Sequence, residues 1–270
     1  MENYSVLMTI YKKDNPAFAK VGIDSMLAQT HLTDDFVLVC DGPLAPELDD
    51  LIDSYIAEHP HLFNVVRLPQ NVGLGSALRH GVQVCKNELI ARMDNDDISK
   101  PQRCAHEVAY MEAHPDCALV GSHMYEFDND PATPIRTKTV PIGFENIKKY
   151  ARRRNPFNHS SVMLRKSSVL AAGNYSEMRT NQDVEFWVRM LNNGYRCENL
   201  DEILVDFRFD NDTLARRKEW KNSKLMIDVW KQFRKKGYCT YGDYLVVKWV
   251  QIAMYIMPVK LLDWVYNHLR

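Results

Sequence analysis

Three carboxylates stand within four positions at Asp94-Asn95-Asp96-Asp97, directly after the apolar run Leu89-Ile90-Ala91-Arg92-Met93. Aspartates gathered this closely repel one another and lose hydration. A divalent cation relieves both effects, because its hard charge prefers oxygen ligands. The same residues also suit a polar turn, with Ser99 capping a following helix and Pro101 in its first turn. The two readings differ in what they require elsewhere. A turn needs nothing from the rest of the chain, whereas a metal site serving a phosphorylated ligand needs further polar groups brought to the same place.

The elements that would position the acids repeat along the first half. Val6 to Ile10 reads as a buried strand and Pro16 to Gln29 as a helix. Phe36 to Cys40 is a second strand, ending at Asp41-Gly42, and Pro46 to Glu58 a second helix. Phe63 to Leu68 ends at Gln70-Asn71, Gly73 to Cys85 follows as a helix, and Glu88 to Met93 is the fourth strand. Continuous apolar strands, each followed by a helix, predict a parallel sheet covered on both faces. Ligands of such sheets lie beyond the carboxyl ends of the strands. Thr9 to Lys12, Asp41-Gly42, Gln70-Asn71 and Asp94 to Asp97 would then form one polar rim. Asp41 there suits a nucleotide, since a carboxylate accepts hydrogen bonds from a base or ribose. Gly73 and Gly75 invite a dinucleotide-binding reading, but position 78 is Leu and the glycines follow the third strand rather than the first. A tight entry into a helix is the better account of them.

At 270 residues, 46% hydrophobic and 26% charged, the chain can bury a large core. Its formal net charge of -1 gives no general attraction to nucleic acid, and no nucleic-acid partner is expected. Six scattered cysteines without a CxxC pair argue against structural zinc or a disulfide framework and fit a reducing cytoplasm. No secretory signal is visible before Tyr4.

The ordered set Ser5 to Tyr11, Val39-Cys40-Asp41-Gly42, Asn71 to Leu78 and Ala91 to Asp97 resembles the inverting family 2 glycosyltransferases of GT-A fold. His114-Pro115-Asp116, Val120-Gly121-Ser122, Asn155 to His159 and Asp183 to Trp187 extend the resemblance over roughly residues 4 to 217. The closest flavour is that of the bacterial polysaccharide and lipo-oligosaccharide transferases. The resemblance implies an α/β fold with a Rossmann-like, mostly parallel mixed sheet flanked by helices. It divides the chain into a catalytic domain over 1–212, with a nucleotide-sugar half (1–98) and an acceptor half (99–212), and a helical extension over 213–270. The implied substrates are a UDP-sugar and a glycan on a carrier lipid. Thr9, Tyr11, Asp41 and Asn71, with Arg79 nearby, would hold the nucleotide. Asp94 would serve the ribose and the metal's waters, Asp96 would ligate Mn²⁺ or Mg²⁺ on the diphosphate, and Asp97 would orient them. Departure of a nucleoside diphosphate builds negative charge that a bound cation stabilises.

The resemblance also implies a base. In the family the second acid of a pair before an aromatic stretch takes the acceptor's proton, and Asp183 in Gln182-Asp183-Val184-Glu185-Phe186-Trp187 holds that place, with Gln182 where the family carries Glu. Glu185 is its rival. The same segment reads as a helix N-terminus in which Asn181, Asp183 and Glu185 cap the helix and complement its dipole. His159 is either an acceptor or phosphate contact or a satisfied structural group; Trp187 either stacks on an acceptor sugar or belongs to the core. The runs Arg152-Arg153-Arg154 and Arg216-Arg217 are either solvated or forks for a diphosphate.

Tyr244 to Met257 is the most hydrophobic run, too short for a bilayer span and interrupted by Lys248. Its aromatic and basic residues suit the surface of the inner leaflet, or else a helical hairpin packed on the catalytic domain or on a second copy of the chain. Two alternatives to a glycosyltransferase stand beside it. A non-catalytic nucleotide-sugar-binding or scaffold subunit would need no base at Asp183. A nucleotidyltransferase would need a Gly-rich N-terminal loop that the chain lacks.

Overall fold

A computed structural model describes residues 1–209, 219–258 and 261. Strands β1 (Tyr4–Ile10), β2 (Asp35–Cys40), β3 (Phe63–Arg67) and β4 (Leu89–Met93) alternate with helices α1 (Pro16–Leu27), α2 (Pro46–Glu58) and α3 (Leu74–Val84). All four strands pair in parallel, in the order β3-β2-β1-β4. The second half adds β5 (Ile98–Ser99), α4 (Arg103–Ala113), β6 (Cys117–Phe127), β7 (Arg136–Lys138), α5 (Phe144–Ala151), a 3₁₀ turn (His159–Ser161), β8 (Met163–Arg165), α6 (Lys166–Ala171), α7 (Gln182–Asn192) and β9 (Arg196–Arg208). Strand β8 runs antiparallel to β4 and continues the sheet through β6, β9 and β5. The sheet is therefore mixed, parallel over β1 to β4 and antiparallel where β8 joins it.

Side-chain alternation sends successive strand residues into two separate cores. Leu7, Val37, Val39 and Ile90 face α3 and α7, while Val6, Met8, Leu38 and Met93 face α1, α2 and α4. Burial on both sides is why these strands read as unbroken apolar runs rather than as alternating ones.

Local differences from the sequence reading have physical causes. Helix α1 stops at Leu27, and Gln29 turns inward instead: its Nε2 donates to Lys100 O (2.9 Å) and its Oε1 accepts from Cys104 N (2.9 Å). Gln29 thereby takes the place predicted for Ser99 at the start of α4. Ser99 lies in β5, paired with Val205 of β9.

Helices α8 (Trp220–Lys235) and α9 (Tyr241–Ile256) pack on each other and on the α3/α7 core through Val229, Trp230, Phe233 and Val247. The join is polar as well as apolar. Thr240 and Asp243 form a capping box at the start of α9, and Asp243 also accepts from Arg152 (2.5 Å) and Arg153 (2.6 Å). Arg152 and Arg153, read as solvated or as forks for a diphosphate, instead fasten the extension to the end of α5. No helix of the described residues is long and apolar enough to cross a membrane. The opposite face of α9 leaves Val246, Trp249, Val250 and Ile256 exposed.

Candidate active site

The carboxyl ends of β1, β2 and β4 are neighbours because the register pairs Ile10 with Cys40 and Met8 with Met93. A cleft of about 360 Å³ opens there, lined by Thr9, Tyr11, Asp14, Asp41, Asn71, Asp94, Asn95, Asp96 and Arg179 among others. Four separate strand ends thus supply one polar rim.

Each rim residue is held by its own element. Asp41 is buried and its carboxylate is well occupied, accepting from Val72 N (2.7 Å), Gly73 N (3.0 Å) and Asn71 Nδ2 (2.9 Å). It shapes the β3–α3 turn first, with a remaining lone pair for a ligand. Asn71 is fixed from the other side by Arg179, whose Nη1 donates to Asn71 Oδ1 (2.8 Å) and Nη2 to Asn71 O (3.1 Å). Gly73 has a φ of +91°, and a Cβ there would meet Arg179 Cγ at 2.7 Å. A Cβ on Gly75 would meet Ser176 O at 2.2 Å and Gln182 Cβ at 3.2 Å. The two glycines therefore let the segment before α7 lie across the start of α3. That contact sets the N-terminus of α7 beside the cleft wall formed by Gly73, Leu74 and Ala77.

The turn after β4 is a tight polar turn and an acid cluster at once. Asn95 Nδ2 donates to Thr9 O (2.8 Å) and Asp14 Oδ2 (2.6 Å), and a Cβ on Gly22 would strike Asn95 O at 2.4 Å, so α1 passes close beneath. Asp97 is buried and accepts from Arg208 N (2.9 Å); burial, then the charges of Asp96 and Asp94, push its carboxyl well up. Asp94 is gripped by Arg92, whose Nη1 donates to Oδ2 (2.5 Å) and Nη2 to Oδ1. Asp96 makes no ion pair among the described residues. Asp96 is exposed at the mouth of the cleft, where the surrounding protein mass and then the Asp94 charge push its carboxyl up to about 6, and desolvation likewise pushes the half-buried Asp14 up to about 6.

These acids fit a divalent cation. No group of three or more His, Cys, Asp or Glu converges among the described residues, so these residues build no complete cage. A cation here would rely on Asp96 together with a ligand's phosphate oxygens and water, which is how Mg²⁺-type sites are commonly completed.

At the start of α7, Asp183 is half-buried and accepts from Asn155 Nδ2 (2.6 Å). Burial raises its carboxyl pKa against the opposing hydrogen bonds from Val184 N and Asn155 and the Arg92 charge. Its rival is engaged elsewhere: Glu185 pairs with Arg189 (3.0 Å), which also donates to Asn174 O (2.8 Å). Asn181 stands at the cap with φ of 59° and makes no side-chain cap.

Trp187 and His159 take the structural alternative that the sequence left open, and Arg79 lies away from the cleft. Trp187 is completely buried, edge-on to Phe157, His159 and Tyr175, so its ring offers no face to a sugar and belongs to the core. His159 is hydrogen-bonded to the Tyr175 hydroxyl (3.1 Å), and burial followed by the Arg92 charge holds its pKa well below the ordinary value, so it is neutral at pH 7. Arg79 donates to Gly173 O (3.0 Å) and Tyr175 O (3.1 Å) and lines a neighbouring groove rather than the cleft. Arg216 and Arg217 lie outside the described residues.

Sequence reasoning passed over Asp14, Arg92, Arg179 and Arg208. Arg208 donates through Nε to Asp96 O (3.1 Å) and stacks 3.8 Å from the Phe18 ring centroid. Of these only Arg92 carried a visible signal, a charge inside an otherwise apolar strand.

The sheet and its acid-lined rim define a GT-A fold. A mannosyltransferase from Pyrobaculum calidifontis, solved with GDP-Man and Mn²⁺, superposes with a TM-score of 0.66 at 13% identity, covering 97% of this chain and 72% of that one. Staphylococcus aureus TarS residues 1–349 with UDP superposes at 0.62 with 13% identity, covering 99% and 92%. The chain belongs to glycosyl transferase family 2, whose profile matches residues 5–172. It is 32% identical over 267 residues to the amylovoran biosynthesis glycosyltransferase AmsE of Erwinia amylovora, covering 98% of both chains. It is 31% identical over 266 residues to an Escherichia coli UDP-Gal:alpha-D-GlcNAc-diphosphoundecaprenol beta-1,3-galactosyltransferase, covering 98% of this chain and 95% of that one. Asp183 lies beyond the profile's matched span.

Proposed function

We infer that the protein transfers a sugar from a UDP-sugar to a glycan on a carrier lipid, with inversion, in the assembly of a bacterial surface polysaccharide. The observation that carries this reading is Asp96 on the strand-end rim, which makes no ion pair among the described residues, together with Asp183 at the start of the helix whose Gln182 lies against Gly75 at the entry to α3. Thr9, Tyr11, Asp41 and Asn71 enclose the nucleotide, and Asp94 faces its ribose. Mn²⁺ or Mg²⁺ held by Asp96 supplies positive charge to the departing diphosphate. The acceptor hydroxyl oxygen bonds to the anomeric carbon as the bond from that carbon to the UDP oxygen breaks, and Asp183 takes the hydroxyl proton. Attack from the face opposite the leaving group gives inversion.

The E. coli relative's name supports UDP as the nucleotide and a lipid diphosphate as the acceptor's carrier. The exposed face of α9, with Trp249 and Lys248 side by side, suits the inner surface of the cytoplasmic membrane, where such an acceptor resides. A scaffold subunit would have no use for a hydrogen-bonded acid at Asp183.

Release of UDP from a panel of UDP-sugars with Mn²⁺ and a synthetic lipid-diphosphate sugar tests the reading. Asp183→Asn should lower transfer about 10³-fold while Glu185→Gln keeps the chemical step. Full transfer by Asp183→Asn would sink the assignment of the base.

A further inference from the structure

Arg92 is the least expected side chain in the sheet. Strand alternation turns it to the same face as Ile90, toward the core that holds Phe157, Tyr175 and Trp187, and it is 0% exposed. Burying a guanidinium is costly unless a charge of opposite sign meets it, and an aliphatic residue would fill the same place without that cost. What the arginine provides is a fork on both oxygens of Asp94. Its Nε has no partner among the described residues, so the side chain is placed for Asp94 rather than for a network of its own. Asp94 and Asp96, two carboxylates of one turn, are made unequal: one is neutralised from below and the other keeps its charge for the cleft.

We propose that Arg92 is a positioning residue, a built-in counter-cation that commits Asp94 to the ribose and leaves the divalent cation to Asp96. It rests on the reading of Asp96 as the metal's carboxylate. The consequence runs against intuition. Removing Arg92 frees Asp94 to join the cation, so metal binding tightens while turnover falls, because Asp94 leaves its place and the diphosphate is held off its line of departure. A merely structural arginine would weaken metal binding and turnover together.

The test is calorimetric titration of Mn²⁺ into the full chain saturated with UDP, beside UDP release under saturating donor. Arg92→Met should bind Mn²⁺ at least about threefold more tightly and turn over at least about tenfold more slowly. Arg92→Lys, which keeps the charge and loses the fork, should bind Mn²⁺ within about twofold of the parent yet share the loss of turnover. Unchanged or weaker Mn²⁺ binding by Arg92→Met overturns the proposal. Where Arg92→Met lacks the parent's circular dichroism, Arg92→Gln takes its place. If neither neutral variant folds, Arg92→Lys decides: unchanged affinity with lost turnover supports the role, and any larger change in affinity refutes it. Absence of Mn²⁺ binding by the parent with UDP would instead refute the metal reading itself.

Discussion

Asp96 and Asp243 are the same residue type in opposite electrostatic settings. Asp96 stands in the turn after β4, exposed at the cleft mouth beside Asp94, and its carboxyl is pushed up to about 6. Asp243 stands at the start of α9; burial opposes its charge, but hydrogen bonds from Thr240, Arg153 and Arg152 outweigh that and hold its carboxyl far below the ordinary range. One acid is left in need of positive charge, and the other has been given more than it needs. A surface suited to a cation leaves its acids short of partners, whereas a junction that must hold supplies them.

The widest separation between the two should come from Asp96→Ala. Metal-dependent UDP release should fall about 10³-fold, while thermal melting without metal shows no loss, because the change relieves repulsion. A melting temperature lowered as much as by a core change would erase the distinction. Asp243→Asn should do the reverse. Losing the charged cap costs about 1–2 kcal/mol and lowers the melting temperature by about 2–8 °C, with the turnover of a soluble acceptor kept within twofold.

The smallest effect is in pH. A carboxyl raised in the folded state contributes stability that is present below its unfolded pKa and lost as pH rises through the folded one. Metal-free protein should therefore lose the contribution of Asp14 and Asp96 between about pH 4 and pH 6, with Mn²⁺ and UDP restoring it. Asp243 has the opposite sign, contributing stability above the ordinary carboxylate range that disappears only in stronger acid. Melting curves from pH 4 to 7.5, with and without Mn²⁺ and UDP, read the first trend, and Asp243→Asn should leave that trend in place.

Much of the first half of the chain was legible because its signals are local. Apolar runs with intervening helical spacing gave β1 to β4, and the strand ends named the rim: Thr9, Tyr11, Asp41, Asn71, Asp94 and Asp96 all line one cleft. The partners that decide what each residue does come from far along the chain. Arg208 reaches the Asp96 carbonyl, Arg179 pins Asn71, Arg152 and Arg153 turn to Asp243, and Trp187 is enclosed by Phe157, His159 and Tyr175. No periodicity or motif announces such contacts.

What the sequence by itself determined is the order of strands and helices from β1 to β4 and the residue types at their ends, since both follow from side-chain burial and turn chemistry over a few neighbouring positions. Only the tertiary structure decided which carboxylates are spent and which remain. Asp41 is occupied by the β3–α3 turn, Asp94 by Arg92, Glu185 by Arg189 and Asp243 by two arginines, while Asp96 keeps its charge for the cleft. A carboxylate's chemistry is set by the charges and donors within a few ångströms of it, and folding alone chooses those neighbours.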